Sequence, residues 1–244
     1  MKKIYYKKII GLFLIVIFVL ICSSCKNDNH FHAKESGDWI YSVDGCSNGQ
    51  CALLGLSDIG KTKEVIVLPT EIDGLRVSRY GNKKGYIFSP DIVFDNCKKL
   101  YCNYSYITVC TGIEFENQEM EGFFPHQFSS SSISLYGLCV YNPNATIFLS
   151  QDFYNYEKKY YSIDNENCFV ANIEYYLDDE NCFFIDNVES GKLEVIPPKP
   201  FKDGYVFKGW YFNNVEWDFN NNLVEDYFDE NNRLRLEAKW EELK

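Results

Sequence analysis

The side chains able to do chemistry in this chain are few in kind: cysteine, histidine and carboxylate. Of three histidines, His30 and His32 lie in a polar stretch near the N-terminus, which leaves His126, in FFPHQF, as the sole base candidate for a folded body. No G-x-S-x-G, H-E-x-x-H, P-loop or G-x-G-x-x-G pattern accompanies it, so a hydrolytic nucleophile has no context. DFNNNLVEDYFD sets Asp218, Asn220, Asn222 and Asp229 at the spacing of a calcium loop, but Leu223 stands where the sharp turn requires glycine. Two C-x4-C pairs, Cys46 with Cys51 and Cys97 with Cys102, have zinc-like spacing. In an exported chain these pairs, and Cys168 with Cys182, serve equally as disulfides or as small buried thiols. With 35 acidic residues, no carboxylate pair is singled out for glycosidase chemistry. The reading is a non-enzyme with no cofactor and no metal site.

One cysteine has a more specific context. Lys2, Lys3, Lys7 and Lys8 precede an apolar run from Ile9 to Cys22, after which come Ser23, Ser24 and Cys25. The run is shorter than the roughly 20 residues that cross a bilayer, and with its charged flank it reads as an export signal. Ser23, Ser24 and Cys25 resemble the bacterial lipoprotein signal, although Cys22 stands where that family usually has leucine. The resemblance implies removal of residues 1–24, a lipid on Cys25, and a membrane partner through that anchor on the outer face of the cell. The alternative is an uncleaved N-terminal anchor, which also leaves the body outside the cytoplasm. Loss of four lysines takes the formal charge from −11 to −15, which excludes nucleic acid as a partner.

Residues 25–37 are polar and suit a flexible tether. From Asp38 the texture becomes short apolar strands between turns, as expected of a chain that is 17% aromatic: DWIYSV, CALLGL, EVIVLP, SYITV, ISLYGLCVY and ATIFLS. Asp73-Gly74 marks a turn. Val65, Val67, Pro69, Ile72, Asp73, Gly74, Val77 and Gly81, followed by FDNCKKL, are similar to the opening and core signature of BspA-like leucine-rich repeat proteins. That resemblance implies a short, irregular solenoid over residues 38–160, with Phe94, Cys97 and Leu100 pointing inward. An ordinary β-sandwich is the alternative.

The third region is the most specific. GYVFKGWYF places Tyr205, Phe207 and Tyr211 on one strand parity and Val206, Trp210 and Phe212 on the other. Gly204 and Gly209 permit bends or close backbone approach, and Pro197, Pro198 and Pro200 make the passage before them extended. Trp217, Asp218 and Phe219 follow, and RLRLEAKW alternates Leu234, Leu236, Ala238 and Trp240. Of these, Pro198, Pro200, Gly204, Tyr205, Phe207, Gly209, Trp210, Tyr211, Trp217, Phe219, Leu236, Ala238 and Trp240, with Lys239, resemble the Listeria–Bacteroides (internalin B-type) repeat. The resemblance implies a β-grasp-like (α+β) domain over residues 166–244, with strands IEYYL and KLEVIP near its start and the rings used as core rather than as a ligand platform. LDDEN, residues 177–181, replaces the glycine-rich turn of that family.

The expected fold is mainly β: an irregular leucine-rich-repeat-like solenoid, then a small β-grasp-like domain. The expected function is a cell-surface lipoprotein that recognises a surface protein or glycan in trans. A structural spacer is the alternative, and an extracellular hydrolase a more remote one. Fatty-acid labelling of the precursor is expected to mark Cys25, and Cys25→Ser is expected to abolish the label and leave the precursor uncleaved.

Overall fold

Short strands with apolar residues on both parities need cover on both faces, and that demand organises this molecule. The structure, a computed structural model, describes residues 32–80, 92–94, 96–103, 108–109, 113–115, 119–125, 144–161 and 167–244. Among them strands predominate, with one α-helix, and Ala33–Lys244 is one compact unit. The sequence candidates at 133–141, Cys110, Gly81 and Cys139 lie outside the described residues.

The first sheet contains β1 (Lys34–Ser36), β2 (Trp39–Ser42), β3 (Gln50–Leu56), β5 (Glu71–Ile72) and β6 (Leu75–Tyr80), in the order β1-β2-β3-β6-β5. A short strand, β9 (Thr108–Val109), also pairs with β6, and β7 (Ile92–Phe94) pairs separately with β10 (Ile113–Phe115), both in parallel. Lys34–Ser36, expected in the tether, pairs antiparallel with β2 instead, because Gly37 turns the chain back at φ 55°. Asp73, at φ 52°, and Gly74 form the tight β5–β6 turn. The Asp73 carboxylate accepts hydrogen bonds from the Ser36 hydroxyl (2.5 Å) and the Tyr41 hydroxyl (2.8 Å), which fastens the first hairpin to that turn.

The second sheet is entirely parallel: β4 (Val65–Val67), β8 (Lys99–Tyr101), β11 (Glu121–Phe124), β12 (Thr146–Leu149) and β13 (Cys168–Val170), each beside the next. Its register lines up like residues. Ile66, Leu100, Gly122, Ile147 and Cys168 form one row, and Val67, Tyr101, Phe123, Phe148 and Phe169 form the adjacent one. Strand alternation sends these rows to opposite faces. The first row packs with Cys51, Leu53, Val77 and Tyr80 of the first sheet, together with the buried Phe94 and Cys97. The second packs with the C-terminal sheet. Gly122 has no side chain because the Phe124 ring occupies its place: a Cβ there would lie 2.6 Å from that ring.

Between β12 and β13 runs the helix α1 (Gln151–Tyr161), which the sequence reading missed. Parallel neighbours require such a crossover. Its local signals were present: Ser150 receives the Phe153 N–H on its hydroxyl, Asp152 lies in the first turn, and Lys158 and Lys159 lie in the last.

The C-terminal sheet contains β14 (Ile173–Tyr176), β15 (Cys182–Asp186), β16 (Tyr205–Phe212), β17 (Val215–Glu216) and β18 (Leu234–Glu242), in the order β15-β14-β18-β16-β17. β14 runs parallel to β18, and the other pairs are antiparallel. KLEVIP forms no strand. The following prolines lack the N–H a ladder needs, and the segment passes as an extended chain with Leu193 buried. The strand after IEYYL is CFFID.

The parity expected for GYVFKGWYF is also corrected. Phe207 pairs with Trp240, but Gly209 pairs with Lys239, so Lys208 is a bulge residue and Phe207 joins Trp210 on one face. Gly209, at φ 142°, permits the bulge. Phe207 then meets both Trp210 (5.2 Å) and Trp240 (5.5 Å) edge-on.

The C-terminal region does not hold its core alone. Phe123 stacks on Tyr101 at 4.3 Å and on Phe148 at 4.9 Å, and Tyr101 stacks on Phe184 of β15 at 5.3 Å. Residues 166–244 lack three of these four rings. That fragment is expected to show no cooperative melt by near-UV circular dichroism, whereas residues 32–244 melt in one transition that Phe123→Ala and Trp210→Ala each destabilise by about 3 to 5 kcal/mol.

Candidate functional site

The residues singled out in the sequence divide between core and surface. Trp210 and Trp217 are buried, at 3% and 4% exposure, and Phe207, Gly209, Tyr211, Phe219, Ala238 and Trp240 are partly buried. Gly204 and Tyr205 are exposed, which corrects their assignment to the core. They lie on the turn into β16 and its first residue, and Tyr205 lies beneath the Lys202 ammonium at 4.5 Å. Cys25 and His126 fall outside the described residues.

The described cysteines, Cys46, Cys51, Cys97, Cys102, Cys168 and Cys182, form no disulfide with one another, and all but Cys46 are buried. Burial pushes the Cys51 thiol up to about 11 and Cys97 up to about 12, which suits packing rather than nucleophilic attack. No three His, Cys, Asp or Glu among the described residues converge as a metal site would require. The calcium-like spacing serves turns. Asp218 accepts the Asn220 N–H and the Asn221 amide, while Asp229 accepts the N–H groups of Asn231 and Arg233.

One face of the parallel sheet is buried against the first sheet through Leu100 and Ile147, and Tyr101 and Phe123 on the other face are buried against the C-terminal sheet. The seam between them is fixed by polar contacts. The Tyr101 hydroxyl donates to Asp186 Oδ1 at 3.0 Å, and that same oxygen accepts the Asn187 N–H at 2.8 Å. Farther along, Glu174 Oε1 accepts the Gln151 N–H at the start of α1 (2.7 Å) and pairs with Arg233 (3.1 Å). Arg233 also donates to the Gln151 side chain.

Near the first sheet lies a cleft of about 280 Å³, close to the lower end of ligand-pocket sizes. Thr70 and Arg76 form its wall on the first-sheet side, and Thr70 donates to the Lys199 carbonyl at 2.8 Å. The opposite wall comes from Leu177, Asp178 and Asn181 of LDDEN, from Phe201, Lys202 and Asp203, and from Phe183 and Trp240. The Arg76 guanidinium lies over Phe201 at 4.4 Å, and the Trp240 indole donates to the Leu177 carbonyl at 3.0 Å. Burial acts to raise the Asp178 carboxyl, but the N–H groups of Glu180 and Asn181 and the Asn181 amide outweigh it and hold the group below the usual carboxylate value. Sequence reasoning missed Arg76, Phe201 and Asp203. The available signal was LDDEN, a departure from the repeat pattern at the place where the cleft forms. No family model, curated protein or solved structure matches the chain.

Asp186 generates a pH expectation. Burial raises its carboxyl above the ordinary 3.8, against hydrogen bonds from Asn187 and Tyr101 that act to lower it. The folded state therefore holds the proton more tightly than the unfolded chain, and stability falls as pH rises from 3.8 through the folded value. Asp186→Asn keeps an Oδ1 acceptor for both donors and carries no charge at any pH. Urea midpoints across pH are expected to show the variant more stable than the parent above that window and equal to it below.

Proposed function

We propose that this protein is a lipid-anchored module of the bacterial cell surface that recognises a protein or glycan partner in trans. In this reading the parallel sheet with its aligned rows belongs to a short leucine-rich-repeat-like solenoid, and the order β15-β14-β18-β16 with β14 parallel to β18 belongs to a β-grasp-like domain. The export-type start and the Ser-Ser-Cys box support attachment at Cys25. The observation that carries recognition is the cleft, a concave site with aromatic walls and a few placed polar groups on an otherwise acidic chain.

No helix among the described residues is long and apolar enough to cross a membrane, and anchoring in this reading falls to the lipid. Fluorescent residues 32–244 are expected to bind bacterial or animal cell surfaces saturably. Phe201→Ala, at a ring that is 51% exposed, is expected to reduce that binding without lowering the melting temperature. Absence of saturable binding on every surface tried would make the protein a spacer.

A further inference from the structure

We infer that the cleft takes a neutral sugar ring of a surface glycan, an assignment that rests on reading the cleft as the recognition site. Charge comes first. The chain carries a formal −11, yet the cleft sets two cations, Arg76 and Lys202, against two carboxylates, Asp178 and Asp203. A ligand bearing net charge would bring one of these pairs into repulsion, and a neutral one does not.

The cations are also already engaged by rings. Arg76 lies over Phe201 at 4.4 Å, and Lys202 lies over Tyr205 at 4.5 Å and Trp240 at 5.7 Å. Held this way, they present N–H donors in fixed positions rather than mobile charges available to chase an anion. Asp178 is fixed likewise, since the Asn181 amide contacts both of its oxygens, at 2.6 and 2.8 Å. The cleft therefore offers donors and acceptors side by side, held rigid before any ligand arrives. A sugar hydroxyl both donates and accepts, and a ring of such hydroxyls uses a mixed set of this kind in full. A peptide side chain of either charge, or an apolar one, leaves half of it without use.

Shape agrees with the chemistry. About 280 Å³ holds one ring rather than a folded loop. The apolar faces of a sugar ring match the aromatic walls of Phe201 and Trp240. The wall that carries Asp178 and Asn181 is the LDDEN turn between β14 and β15.

The test uses residues 32–244 against immobilised neutral oligosaccharides of glucose, galactose, mannose and N-acetylglucosamine, with sialylated and sulfated glycans alongside. Binding to at least one neutral class is expected. Its affinity should change little as salt rises from ~0.1 to ~1 M, where the Debye length shortens from ~10 to ~3 Å. Phe201→Ala and Asp203→Asn are each expected to weaken it about tenfold or more, equivalent to about 1.4 kcal/mol. Both sites are exposed, so their folding is verified by an unchanged melting temperature. Trp240→Ala is avoided because its indole supports the Leu177 carbonyl. Preference for charged glycans with steep salt dependence would overturn the inference. So would cell-surface binding that survives periodate and glycosidase treatment of the target cells, an outcome that leaves surface recognition standing with a protein as partner.

Discussion

The in-register stack of Tyr101, Phe123 and Phe148 is the contact on which the rest of the molecule depends. Parallel strands in register bring like positions side by side, and here four successive strands put a ring at the same position, the first three of which stack. The ring planes are nearly parallel, within 4° and 10° of one another, and Phe184 continues the stack into the C-terminal sheet at 11°. A stack of this kind is worth more than its buried area, by about 0.5 to 1.5 kcal/mol per pair. It also fixes which surface of the parallel sheet the C-terminal sheet must cover.

Because strand residues alternate in direction, the same five strands serve two cores at once. One row meets the first sheet through Leu100 and Ile147, and the other meets the C-terminal sheet through Tyr101 and Phe123. The parallel sheet is thus the middle layer, and the solvent-facing surface that an isolated solenoid would present becomes an internal joint. The Tyr101–Asp186 and Glu174–Arg233 contacts hold the joint in register, each with a carboxylate that is nearly inaccessible to water. Such pairs specify geometry more than they add stability, since their desolvation offsets much of their attraction. The cleft lies elsewhere, where Thr70 and Arg76 meet the C-terminal region.

The aromatic C-terminal segment shows how a small backbone irregularity redirects packing. With Lys208 bulged out, Phe207 leaves its own parity and packs between Trp210 and Trp240. Trp240 is thereby held on one side while it lines the cleft on the other. Rings that read as core in sequence divide into the buried Trp210 and Trp217, the partly buried Phe207, Tyr211, Phe219 and Trp240, and the exposed Tyr205.

Local turn chemistry and a period of two were enough to establish the strand-rich class, the Asp73-Gly74 turn and the strands of EVIVLP, ATIFLS and RLRLEAKW. The same signals misjudged KLEVIP, which passes as an extended chain into prolines that lack the N–H a ladder needs. They missed α1 because a helix so rich in tyrosine has the local composition of a strand. They placed a boundary near residue 166, whereas β13 (Cys168–Val170) completes the parallel sheet and β14 begins the C-terminal sheet at Ile173. Above all, Thr70 and Arg76 lie about a hundred residues or more from the other residues of the cleft. No pattern along the chain links them, and only the tertiary packing brings their polar atoms to the same cavity as Asp178, Phe201 and Trp240.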